Sequence, residues 1–224
     1  MTINILTVCP EMFAGFEKDH VIERAVGLGL LTLRIVDIRE YADGCFRKVD
    51  DSPYGGGAGM ILRVQPVLDA IKAARPAGSA GPSCTAALTP AGEIFCQKTA
   101  NEFSRCDVLT LVCGHYEGMD HRIYAHVDRQ ISIGDYVLSG GEPAAMVVAD
   151  SVTRLLPGVL KKDSLLEESF SDGLLEYPQY TRPADYEGER VPEILLSGNH
   201  EAIRRWRREQ AVALTRQRRP DLLN

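Results

Sequence analysis

No apolar run among the 224 residues approaches the roughly 20 needed to cross a bilayer; the longest, such as residues 108–113, are far shorter. The N-terminus lacks the basic start and long apolar stretch of a secretory leader, so a cytoplasmic location without membrane association is expected. No two of the six cysteines (Cys9, Cys45, Cys84, Cys96, Cys106, Cys113) stand at the two-to-four-residue spacing of a structural zinc knuckle; reduced and mostly buried thiols are expected, with no metal site. Positive charge is also scarce overall. A formal net charge of −6 argues against wholesale electrostatic wrapping of nucleic acid. The exception is local: seven arginines between Arg204 and Arg219 face one acid, Glu209, which makes either a basic binding surface or a solvated helix face. Internal repeats and low-complexity segments are lacking as well.

What is present is an ordinary globular composition, 45% hydrophobic and 25% charged, long enough for one large domain or two modest ones. Residues 3–8 read as a strand, 21–26 as a short helix stopped by Gly27 and Gly29, and 31–38 as an alternating strand. A polar, glycine-rich loop covers about 41–60. Helical spacing follows over 66–75, a breaker cluster over 76–82, then a strand ending near Leu88. Further strands are expected at 108–113 and 130–133, and a helix over 142–156 closed by Pro157 and Gly158. Strands alternating with helices predict an α/β fold with a largely parallel sheet in residues 1–160. Residues 161–172 shift to polar, aperiodic composition and read as an interdomain linker. Beyond it, 178–192 is proline-rich and extended. Asn199 is placed to cap a helix bearing Ile203, Trp206, Ala213 and Leu214 on one face, so 173–224 reads as a small helical domain.

Loops that follow parallel strands are where ligands bind. Three stand out: Leu88-Thr89-Pro90-Ala91-Gly92, Cys113-Gly114-His115-Tyr116-Glu117-Gly118, and residues 133–141, Ile-Gly-Asp-Tyr-Val-Leu-Ser-Gly-Gly. Their glycines either let backbone approach a flat, nucleoside-like ligand or serve three tight turns. Neither a P-loop, which needs Lys and Ser or Thr after its glycines, nor dinucleotide-type glycine spacing after a strand occurs. A fourth cluster, Asp50-Asp51-Ser52-Pro53-Tyr54-Gly55-Gly56-Gly57-Ala58-Gly59-Met60, reads as a loop that clamps a partner, since ordering so many glycines is costly without one.

These segments resemble the tRNA (guanine-N1-)methyltransferase family TrmD. So do residues 154–160 (Arg-Leu-Leu-Pro-Gly-Val-Leu), 169–175 (Ser-Phe-Ser-Asp-Gly-Leu-Leu), 180–183 (Tyr-Thr-Arg-Pro) and 196–200 (Leu-Ser-Gly-Asn-His), and the likeness runs through nearly the whole chain in the family's order. It implies a SPOUT-type α/β fold with a deep trefoil knot, a small C-terminal helical tRNA-binding domain, and a homodimer with its active site between subunits. The implied reaction carries a methyl group from S-adenosylmethionine to N1 of the guanosine immediately 3′ of a tRNA anticodon, position 37. Magnesium is suggested too, with no metal-ligand spacing to locate it.

Guanine N1 carries a proton and is a poor nucleophile, so a base must take that proton as the methyl bond forms, and a cation near O6 would stabilise the charge that develops. By resemblance these are Asp172, with Glu168 its nearest local competitor, and Arg154. The donor would be held by Leu88, Pro90, Gly114, Tyr116, Glu117, Gly118, Ile133, Gly134, Asp135, Tyr136, Val137, Leu138, Gly140 and Gly141. Tyr116 and Tyr136 would equally suit core aromatics, and Glu117 either faces the donor's positive charge or caps a helix. Contacts to tRNA are assigned to Asp50, Gly55, Gly56, Gly57, Gly59, Arg182, His200, Arg204 and Arg208, with Arg205 either joining them or neutralised by Glu201 and Glu209. Trp206 reads as core. The chain departs from the family's pattern at His115, where Arg is usual, and at Ala91, Pro143-Ala144 and Gln179.

Overall fold

The run Val-Leu-Thr-Leu-Val-Cys at 108–113 is buried at every position and forms the middle strand of a five-stranded, wholly parallel sheet. The computed structural model describes residues 1–75, 81–161 and 167–223. In chain order the sheet strands are β1 (Thr2–Thr7), β2 (Thr32–Asp37), β5 (Ser83–Ile94), β6 (Val108–Cys113) and β7 (Arg129–Ser132), in spatial order β2-β1-β6-β5-β7. Two-residue strands β3 (Asp50–Asp51) and β4 (Ile61–Leu62) pair antiparallel beside it.

Both sheet faces are covered, which is why β6 shows no alternation of apolar and polar residues. On one face Ile3, Ile5, Leu109 and Leu111 pack with α1 (His20–Gly27) and α4 (Glu142–Arg154). On the other, Leu6, Val112 and Ala87 pack with Val67 and Ile71 of α2 (Val64–Ala74). Buried Asn4 of β1 is accommodated by donating to Ala74 O at 3.1 Å and to Thr110 Oγ1 at 3.3 Å.

The expected strands and helices of residues 1–160 are present with ends shifted by a residue or two, and two features differ. The segment 88–92, read as a loop, lies inside β5, which continues to Ile94 across a register shift between Leu88 and Glu93. A short helix, α3 (Gln97–Phe103), follows; its seven residues are too few to display a periodic stripe. Of the cysteines only Cys113 is buried; Cys45 and Cys96 are exposed.

The chain divides into two compact units, Met1–Leu160 and Lys161–Asn224. Part of the expected linker, 162–166, and most of the breaker cluster, 76–80, lie outside the described residues. In the second unit the proline-rich run forms a small hairpin, β8 (Asp185–Tyr186) with β9 (Glu189–Arg190), preceded by a cis Arg182–Pro183 bond. A one-turn helix, α5 (Glu193–Leu196), leads to α6 (His200–Arg218), whose first turn Asn199 caps by accepting from Ala202 N–H at 3.1 Å. The buried positions of α6 are Ala211 and Thr215, with Ile203, Trp206 and Leu214 half-buried; Ala213 is exposed, one residue off the stripe expected to hold it. Thr215 Oγ1 accepts from Leu175 N–H at 2.9 Å, tying the start of the unit to the end of its long helix.

Candidate active site

The carboxyl ends of β5, β6 and β7 open on one cleft of about 790 Å3, its open mouth included, at the crevice position of a parallel sheet and in the size range of small-molecule sites. Of the residues expected to hold a donor, Leu88 and Pro90 line it from β5. Gly114, Tyr116, Glu117 and Gly118 line it from the loop after β6, and Ile133, Gly134, Tyr136, Val137, Leu138, Gly140 and Gly141 from the loop after β7. Asp135 is exposed and outside the lining. Met119 and Tyr124, which sequence reading did not single out, add apolar wall; Ala144, from the departing Pro143-Ala144 pair, and His115 line the cleft as well. Tyr116 and Tyr136 are exposed, not core.

Close backbone approach explains the glycines at two positions. A Cβ on Gly141 would lie 2.8 Å from both Cys113 Cα and Gly114 N, and Gly141 N–H donates to Gly114 O at 2.7 Å, so the two loops touch main chain to main chain. A Cβ on Gly134 would lie 2.5 Å from the Tyr136 ring, which lies across it with its hydroxyl donating to Ile133 O at 3.2 Å. Tyr116 itself holds a left-handed φ of 59°, an unusual conformation for a residue with a side chain and one concentrated at binding sites.

The glycine cluster at 55–59 is exposed and runs through left-handed backbone at Gly55, Gly56, Gly57 and Gly59, with Asp50 half-buried in β3 at its base. Its far end is attached to the cleft: Glu117 N–H donates to Met60 O at 3.0 Å and Leu62 N–H to Gly118 O at 2.9 Å.

Arg154 is the last residue of α4, whose first residue, Glu142, is buried beside the cleft. Twelve steps of about 1.5 Å separate them, so Arg154 lies roughly 18 Å along the axis from Glu142. Asp150, one turn before Arg154, has its carboxyl pushed up by burial, with Asp19 adding and Arg154 opposing.

In the second unit Asp172 is exposed and ion-paired with Arg208. His200, Arg204 and Arg208 follow one another at four-residue steps on one exposed face of α6. Arg207 points the other way, with its guanidinium 4.6 Å from the centroid of the Tyr177 ring and 3.3 Å from Glu167 Oε2, a structural use that the count of arginines conceals. Arg182 is exposed beside the β8–β9 hairpin.

Among the described residues, the group of three or more potential metal ligands is Cys9, His115 and Glu142. A thiol and an imidazole do not suit Mg2+, which takes oxygen ligands, so the magnesium that the resemblance suggests finds no fit there.

No described helix is long and apolar enough to cross a membrane. A family model described as tRNA (Guanine-1)-methyltransferase TrmD matches residues 1–224. A protein of Moorella thermoacetica called tRNA (guanine-N(1)-)-methyltransferase is 53% identical over 225 residues, covering 100% of this chain and 90% of its own. Proteins of the same name from Halalkalibacterium halodurans and Listeria monocytogenes are 51% and 50% identical, each spanning 100% of this chain and covering 91% and 92% of their own lengths.

Proposed function

This chain belongs to the tRNA (guanine-1)-methyltransferase TrmD family, and from that premise we propose that it moves the methyl group of S-adenosylmethionine to N1 of the guanosine immediately 3′ of a tRNA anticodon, position 37. The observation that carries the reading is the cleft at the sheet edge, walled by main chain of glycine loops, which suits a flat nucleoside with polar edges. When bound, the donor supplies an electrophilic methyl on a positively charged sulfur. Glu117 brings a carboxylate to the cleft wall, where it favours that charge, and Tyr136 over Gly134 offers a ring face beside it.

Asp172 takes the N1 proton as the base attacks, and Arg154 stabilises the negative charge that grows on O6. The reading includes the homodimer that the resemblance implies, with the active site between subunits, on a knotted SPOUT domain with residues 173–224 as the tRNA-binding domain. Arg154, roughly 18 Å along α4 from Glu142, would then serve the partner's cleft. Asp172 is exposed and paired with Arg208 through one carboxylate oxygen. A tRNA phosphate that took Arg208 would free the Asp172 side chain to turn toward the base when substrate arrives. Gly55, Gly56, Gly57 and Gly59 with Asp50, together with Arg182, His200 and Arg204, complete the assigned RNA contacts. The cytoplasm is where such a substrate is met. No step uses a metal ion.

The test is methyl transfer from labelled S-adenosylmethionine to unmodified tRNA with guanosine after the anticodon, beside the same tRNA with adenosine there. Label on the guanosine tRNA alone is expected, with loss of about a hundredfold or more in rate for Asp172→Ala. Donor binding without label on either tRNA would leave a non-catalytic tRNA-binding module, and label at a different nucleotide would make it a SPOUT methyltransferase of another RNA position.

A further inference from the structure

Three side chains far apart in sequence meet at the wall of the cleft. Cys9 follows the carboxyl end of β1, His115 follows the carboxyl end of β6, and Glu142 opens α4; because β1 and β6 are parallel neighbours, their ends coincide in space. One ligand atom from each lies within 4.8 Å of the others.

Glu142 is fully buried, and only half of its carboxylate is accounted for: Oε1 accepts from Thr7 Oγ1 at 2.6 Å, while Oε2 has no hydrogen-bond partner. His115 Nδ1 is likewise buried without a hydrogen-bond partner, 3.5 Å from that oxygen. Leaving a carboxylate oxygen and a ring nitrogen both unmet in the interior is costly, and such orphans ask for a ligand. Gly140 keeps them uncovered: a Cβ there would lie 2.2 Å from Glu142 Oε2 and 2.6 Å from His115 Nδ1.

We propose that Cys9, His115 and Glu142 form a binding site for a borderline divalent transition metal of the Zn2+ or Co2+ type. Tetrahedral Zn2+ holds N and O ligands at about 2.0–2.1 Å, which places them about 3.3–3.4 Å apart; the observed separation is 3.5 Å. A thiolate, an imidazole and a carboxylate are the ligand types such a metal takes, and three protein ligands leave a fourth position for water. A proton on His115 would explain the carboxylate contact alone; a metal uses all three groups. Burial and the Glu142 and Glu11 carboxylates push the Cys9 thiol up, and a bound cation opposes that by stabilising the thiolate. The methyl-transfer reading assigns no role to these three side chains, though His115 also lines the cleft.

The test is a titration of chelator-treated, reduced full-length protein with Co2+, following the near-ultraviolet thiolate-to-cobalt charge-transfer band, then displacement by Zn2+. One cobalt per chain is expected, with the band abolished in Cys9→Ser and affinity weakened at least about tenfold in His115→Gln, since even residues that merely support ligands matter by that much. Cys45→Ser and Cys96→Ser, which remove the exposed thiols, should leave the band unchanged. Far-ultraviolet circular dichroism confirms that each variant folds, and the partly exposed His115 is the variant that keeps the test decisive if Cys9→Ser does not. No band in the unaltered protein, a band that survives in Cys9→Ser, or an unweakened cobalt affinity in His115→Gln would overturn the site.

Discussion

The cysteines show how far burial separates residues of one type. Cys84 is pushed up to about 12, mainly by burial, and burial also raises Cys113. Cys96 is exposed at the start of α3, and the Thr99 backbone N–H holds it below the usual thiol range. A lower value means more thiolate at a given pH, and thiolate is the reactive form. Cys96 should therefore be alkylated well before Cys84 and Cys113 at mildly alkaline pH, as read by peptide mass spectrometry over time. The composition alone, six cysteines without knuckle spacing, supports only the absence of paired knuckles. Which thiol is reactive depends on helix starts and depth. Likewise Glu142 directly follows a glycine-rich segment that sequence reading singled out, yet its neighbours Cys9 and His115 follow other strands. No spacing rule joins residues across a crossover, so that trio was illegible before folding.

Elements were more legible than the contacts between them. The buried run of β6 and the alternation of β1 onto two cores follow from residue pattern. The continuation of β5 past Pro90 and Gly92 did not, because both residues usually end a strand. Here they occupy the register shift, and Gly92 approaches the Ile131 backbone so closely that a Cβ would lie 2.4 Å from its nitrogen. The same close approach at Gly141 is where α4 meets the loop after β6. A Gly141→Ala methyl meets backbone, which cannot move aside as a side-chain tip does. The expected result is a loss of about 1–3 kcal/mol in thermal or urea unfolding together with weakened S-adenosylmethionine binding by calorimetry. Unchanged donor affinity would detach that contact from the binding site.

At the scale of the whole molecule, an acidic chain of net charge −6 carries a basic face on one helix. If His200, Arg204 and Arg208 meet phosphate, the logarithm of the tRNA binding constant should fall linearly as log salt rises, and Arg204→Ala should lower the slope by about one. An unchanged slope would move Arg204 off the RNA. Net charge could not reveal this, since dispersed acids outnumber a clustered base. The family resemblance, by contrast, was legible across the full length because its motifs sit in loops whose glycines and carboxylates are demanded by position, not by bulk composition.

The two main-chain hydrogen bonds between residues 60–62 and 117–118 make the exposed glycine cluster and the cleft wall one mechanical body. If RNA seats on the first and the donor on the second, any change that one makes in this joint is felt by the other, and linkage fixes the exchange: each ligand then alters the other's dissociation constant by the same factor. Donor saturation would then tune how tightly RNA is held before any methyl moves. Donor and RNA would each change the other's hold by an equal factor, whichever arrived first.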